Sequence, residues 1–308
     1  YLIENTRFNL IQTSVKTLVL ILFLYSGALE YLTNWVFLSS DSYIWQGLLF
    51  FSSIGLGLSL LSLPFSLYHT FSIETRFGFN TMSFKTFFGD TIKQLIVGCV
   101  LGGLVLASLL WFFNATGEYA WVYCWGALTL FQLCILFVAP IWILPLFNKF
   151  TPLDEGELKS SIEAYAQAQN FSLKGIFTMD GSKRSNKSNA YFTGFGKIRR
   201  IVLFDTLVEK CSKDEILSIL AHEMGHCKLK HVLKMVGLSF ISSGVMLFLF
   251  SQLLNNPFLF NSFSLSHISI YTSLFFFLIL YSPIQMFLSI FNLALSRKYE
   301  FEADAYAV

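Results

Sequence analysis

The chain has 308 residues, 55% hydrophobic and only 13% charged, with 35 Phe and a mean hydropathy of +0.61. A soluble domain is about a quarter charged, so an ordinary water-facing surface is excluded. A net charge of +2 gives no overall pull towards nucleic acid, and five scattered cysteines without a CxxC pair argue against a disulfide framework.

Crossing the hydrocarbon core takes about 20 mostly apolar residues in a helix. In chain order, four stretches meet that test within residues 1–144: 17–38, 46–68, 95–113 and 121–144. Residues 145–234 form the one long polar segment and are expected to be the catalytic domain. Two more spans follow within 235–292, at 235–254 and 268–292, and residues 293–308 are expected to form a helix returning to the polar segment. Six apolar runs buried in one soluble core would leave too little surface to dissolve. Pro64, Pro140, Pro145 and Pro283 are expected to kink or end spans.

Charge supports the same topology. With six crossings, Arg7, Lys16, Arg76, Lys85, Lys93, every Lys and Arg from Lys149 to Lys234, Arg297 and Lys298 share one side. The opposite loops, around Asp41, Glu118 and 255–267, carry none of the 21 positive residues. The positive-inside rule makes the charged side cytoplasmic.

Within the polar segment, Thr151-Pro152-Leu153-Asp154 reads as a helix N-cap with Pro at the first helical position. Gly175–Met179, 190–195 and Arg200–Phe204 read as short strands. Ser212 and Glu215 form a capping box opening a helix that runs towards His231. The basic residues Lys183, Arg184, Lys187, Lys197, Arg199 and Arg200 are expected to meet lipid headgroups or a chain terminus.

The last of those helices contains His222-Glu223-Met224-Gly225-His226. Histidines at i and i+4 share a helical face, so both imidazoles reach one metal ion. Glu223 lies beside them, where it can take a proton from the attacking water. A catalytic zinc site needs a third protein ligand. Downstream of His226 the chain offers His231, His267, Glu300, Glu302 and Asp304. His267 falls on the opposite side of the membrane, and His231, five residues on, rotates off the ligand face. Leu229 and Val232 stand where a metzincin would have Gly and His. The acidic cluster remains, with Glu300 and Asp304 on one face and Glu302 nearly opposite. One of the pair is expected to hold the metal and the other to hydrogen-bond a ligand histidine; the bland alternative is a solvated acidic helix end.

These features give a mainly α, multi-span transmembrane protein with a small zincin-like α+β catalytic domain. Its edge strand, 190–195, is expected to take an extended peptide substrate through its main chain. Cys227 is expected to face away from the metal, and His69 to sit at a helix end.

The chain resembles the type I CAAX prenyl endopeptidases, multi-span zinc proteases related to HtpX. The likeness is carried by Ile73-Glu74-Thr75-Arg76-Phe77-Gly78-Phe79-Asn80, by residues 146–153, 181–204 and 219–231, and by the acidic motif at 300–307. It implies one Zn2+ per chain held by His222, His226 and Glu300, with Glu223 catalytic and Asp304 supporting a ligand. Asn189, followed by Ala190 and Tyr191, matches a segment that binds the scissile peptide. The resemblance implies peptide-bond hydrolysis at the cytoplasmic membrane face, in C-terminal processing of prenylated CAAX proteins or in membrane-protein quality control. The expected substrate is a peptide or protein, membrane-associated or lipidated, and not nucleic acid. The family's seven spans imply one ahead of Tyr1, and its transition-state His is expected beyond Val308. Short outer loops suggest a bacterial inner membrane, with the endoplasmic reticulum as the alternative. Rival classes are a zinc-binding homologue of impaired activity and a transporter or receptor with structural zinc. A transporter would place ionisable residues inside its spans, where only Glu30 qualifies.

Overall fold

A computed structural model describes residues 1–194, 199–254, 256–263, 265 and 267–308. Among the described residues, six helices are long and apolar enough to cross a membrane: Leu2–Tyr25, Tyr43–Glu74, Phe84–Ala115, Gly117–Phe147, His231–Leu253 and Ile270–Ala307. Their surfaces match that solvent. Leu22, Leu60, Leu104, Leu130 and Phe291 each expose more than half of their area, which hydrocarbon accepts and water penalises.

The chain divides into two compact units. The first comprises Tyr1–Phe77, Ile92–Phe131 and Phe240–Met286. It begins with α1 (Leu2–Tyr25), α2 (Ala28–Ser39) and α3 (Tyr43–Tyr68), which passes into a π-helical turn at His69–Glu74. The sequence places one span at 17–38, but two helices divide it here. Gly27 adopts φ +79°, a left-handed conformation that closes α1 and reopens the chain as α2. His69 does not end the helix as expected: it begins the π-turn within the Tyr43–Glu74 span, its Nε2 2.9 Å from Asn5 Oδ1. This unit's core is aromatic, built around Leu29, Val36, Phe50, Leu110, Phe260 and Phe276, with a second cluster around Phe113, Phe250 and Phe277.

Helices α4 (Phe84–Ala115) and α5 (Ala120–Val138) complete the N-terminal half. After α5 comes a second π-turn, Ala139–Ile143, holding Pro140, and then the short α6 (Leu144–Phe147). Proline removes a backbone donor from the helical ladder, and the wider π-turn is one way to absorb that loss. Pro283 instead sits inside an unbroken helix.

The second unit comprises Gly78–Thr91, Gln132–Ser239 and Phe287–Val308. It holds a four-stranded sheet in the order β1-β2-β4-β3, with β1 Phe150–Pro152, β2 Gly175–Met179, β3 Ala190–Thr193 and β4 Arg200–Phe204. β2 and β4 are parallel, while β1 and β3 lie antiparallel on the two edges. Thr151 and Pro152, read from sequence as a helix start, belong to β1. An edge strand tolerates a residue without an N–H, and Pro152 pairs with Phe177 there. The helix itself, α7 (Glu157–Ala168), starts after Gly156. The expected strand at 190–195 is seen as far as Thr193; Phe195 lies outside the described residues.

Helix α8 (Asp205–Lys210) leads into α9 (Lys213–Lys228), which opens on the Ser212/Glu215 capping box. Ile216, Leu220 and Met224 recur every four residues along α9, so they form one stripe. That stripe packs into the sheet's core, with Ala190, Ile201 and Leu203 for the first two and Phe171 and Phe192 for Met224. Contrary to the sequence reading, α9 does not run on towards His231. Lys230 takes φ +58° and breaks the ladder, so His231 opens a new helix, α10 (His231–Leu253). A short α11 (Pro257–Ser262) lies in what reads from sequence as a plain loop. The sixth span and the returning helix, expected as separate segments, are one element, α12 (Ile270–Ala307).

Most of the basic residues expected to meet lipid are engaged within the second unit. Arg184 forms a bidentate pair with Asp90 at 2.7 and 3.1 Å and also donates to Asn148. Arg199 lies over the Phe171 ring, Arg200 over Phe177 and Lys187 over Phe79. Lys183 is exposed, and Lys197 lies outside the described residues.

Candidate active site

With Ile216, Leu220 and Met224 buried in the sheet core, α9 turns His222 and His226 the other way. Their Nε2 atoms lie 3.1 Å apart. Glu300, from the last turns of α12, brings one carboxylate oxygen to 3.4 Å from His222 Nε2 and the other to 3.7 Å from His226 Nε2. One ligand atom from each of the three falls within 4.8 Å of the others. Two neutral imidazoles and a carboxylate make a donor set for a divalent cation.

The two helices meet closely because of Gly225. A Cβ there would stand 3.1 Å from the Ala303 backbone and 3.2 Å from Tyr306 Cβ. Glycine therefore lets α12 approach α9 at the turn carrying the histidines.

Asp304 accepts from His222 Nδ1 at 2.7 Å, leaving His222 Nε2 free to face Glu300. His226 Nδ1 faces His231 Nδ1 at 3.0 Å, and His231 Nε2 lies 3.0 Å from Glu302 Oε2. Sequence periodicity sets His231 and Glu302 aside because each lies off the metal face. The structure brings the two together behind it. The signal that would have found them is the pair of unassigned His and Glu residues beside a motif already needing support.

Glu223 is half-buried. Burial pushes its carboxyl above the usual range and neighbouring Glu300 adds to that, while His222 opposes it. Burial pushes His226 below the ordinary histidine value, with Glu300 opposing, which favours the neutral ring a metal requires. Cys227 packs beside Ala166, Phe171 and Met224, on the side away from the histidines, and burial pushes its thiol up.

β3 lies over the histidine helix, with Ala190 and Phe192 facing it. Tyr191 turns to the other face, its hydroxyl 3.7 Å from Met179 Sδ, and burial raises its pKa to about 12. Asn189 is exposed at the start of the strand, its Oδ1 accepting from the Ala190 N–H. One edge of β3 pairs with β4, and the other carries no ladder among the described residues.

A metal-ligand cluster, in a chain whose described residues form six helices long and apolar enough to cross a membrane, fits a multi-pass membrane metallopeptidase. Residues 1–149 match a family model described as the CAAX prenyl protease N-terminal region, with five membrane helices, and residues 152–308 match peptidase family M48. The chain is 37% identical to CAAX prenyl protease 1 homolog of Oryza sativa, across all of this chain and 74% of that protein. It is 40% identical to the homolog of Dictyostelium discoideum, across 84% of this chain but 62% of that protein. The crystal structure of S. mikatae Ste24p superposes with a TM-score of 0.90 at 34% identity, covering 98% of this chain and 75% of the other. The chain belongs to peptidase family M48.

Proposed function

We propose that the chain is a zinc endopeptidase that trims the termini of prenylated C-A-A-X proteins at the endoplasmic reticulum membrane, with its sheet domain in the cytoplasm. The observation carrying this is the convergence of His222, His226 and Glu300. Tetrahedral ligands about 2.1 Å from a zinc ion sit about 3.4 Å from one another. The separations of 3.1, 3.4 and 3.7 Å among the three donors fit that size. When bound, zinc supplies a Lewis acid that polarises the scissile carbonyl and acidifies the attacking water.

The chain's own residues do the rest. His222, His226 and Glu300 hold the ion, and Asp304 orients His222. Glu223, made more basic by burial, takes the proton from water as it attacks and can pass it to the leaving amine. The open edge of β3, at Ala190 and Tyr191, binds the peptide main chain and sets its register without demanding particular side chains. Asn189 donates its amide to the substrate backbone beside the scissile bond.

The names of the relatives support a prenylated substrate for this chain. Their eukaryotic sources, from plants to slime mould, favour the endoplasmic reticulum over the bacterial inner membrane suggested by loop length. The test is cleavage of a farnesylated C-A-A-X peptide and its unprenylated twin by the purified protein, read by mass spectrometry. Preferential, chelator-sensitive cleavage of the farnesylated peptide is expected. Equal cleavage of both would contradict the substrate, and cleavage surviving complete zinc removal would contradict the enzyme class.

A further inference from the structure

His231 opens α10 and is only 3% exposed, yet each of its ring nitrogens has a polar partner. Tyr299 of α12 stacks on the ring at 4.2 Å, nearly parallel, and fixes its plane. Lys234 lies over that tyrosine, 5.2 Å from the ring centroid. Glu302, which accepts at His231 Nε2, is itself held through its other oxygen by Lys298 at 3.7 Å.

The proton order along this row follows from donor chemistry. A carboxylate only accepts, so His231 carries its proton on Nε2 and keeps a lone pair on Nδ1. The 3.0 Å contact between the two Nδ1 atoms then requires His226 to donate from Nδ1. That leaves the His226 Nε2 lone pair pointing at His222 and Glu300. The opposite order would put hydrogen on His226 Nε2 and block it as a ligand.

We propose that His231 and Glu302 are positioning residues, a two-membered relay that holds His226 in its metal-binding tautomer. This rests on the zinc site proposed above. Asp304 performs the same task for His222 in one step. A single stretch of α12 thus serves the whole centre: Glu300 at the metal, Glu302 behind His226 through His231, and Asp304 behind His222.

The test is zinc affinity of the full chain in detergent, measured by competition with a chromophoric chelator, with helical content checked on the zinc-free protein. His231→Phe and Glu302→Ala should each weaken binding about 10–100-fold. The double variant should bind no more weakly than His231→Phe alone, because Glu302 acts only through His231. Parent affinity in either folded single variant overturns the relay, as do losses that multiply in the double variant. If His231→Phe does not fold, Glu302→Ala decides on its own, since that side chain is already a third exposed. His222→Ala and Glu300→Ala separate the two levels. If these retain parent affinity, the zinc site fails and the relay with it; if they lose zinc while the relay variants keep it, the relay alone fails.

Discussion

At the scale of single residues, the proposed mechanism gives Glu223 and Asn189 separable jobs. Glu223 lies beside the ligand pair without belonging to it, and burial has raised its basicity. Glu223→Gln should therefore keep its zinc and lose about 10²–10⁴-fold in turnover; metal analysis and peptide cleavage on one preparation check both halves. Asn189 is exposed, and its carbonyl oxygen already accepts the Phe204 N–H. Asn189→Ala should leave that backbone bond intact and lower turnover about 10²–10³-fold if the amide stabilises the developing oxyanion. Normal turnover would make the residue a turn former only. The histidine pair and the Glu300/Asp304 face are legible in the sequence because each lies within one turn of one helix. The partnership of His231 with Glu302 is not. Projecting five residues past His226 assumes an unbroken helix, and the left-handed Lys230 ends it first.

At the scale of elements, the site depends on how closely α9 and α12 approach. Gly225→Ala inserts a methyl 3.1 Å from backbone atoms of Ala303, and backbone yields less readily than a side-chain tip. The two helices should separate, so zinc affinity should fall even though no ligand has changed. Unaltered affinity would mean that the crossing has slack. Leu220 is fully buried between α9 and the sheet, so Leu220→Ala should cost about 2–5 kcal/mol, measured as a lowered denaturation midpoint. Losing the capping box through Ser212→Ala should cost only about 1 kcal/mol. The capping box and the strands Gly175–Met179 and Arg200–Phe204 are readable because their signals are local: a four-residue cap and short β-branched or aromatic runs. Pro152 is misread because Pro at a helix start and Pro on an edge strand look alike without the strand partner. Gly27 is passed over because an apolar run shows hydropathy but not the sign of φ.

At the scale of the whole molecule, composition already implies a membrane protein, and the long helices present apolar side chains outward to match. The chemistry is confined to the one polar stretch and the last turns of α12, which lie far apart in sequence. Folding is what brings Glu300 to the two histidines, and the proposed zinc ion would in turn tie α12 to α9. Removing the metal should therefore loosen the end of α12, read as faster amide exchange around residues 300–304 in the chelated protein than in the zinc-loaded one. The most direct measurement for the whole account is zinc content per chain in the purified parent, His222→Ala, His226→Ala and Glu300→Ala proteins, with helical content checked in each. One zinc in the parent and a clear loss in all three folded variants is the predicted result. A full complement of zinc in folded Glu300→Ala would contradict it.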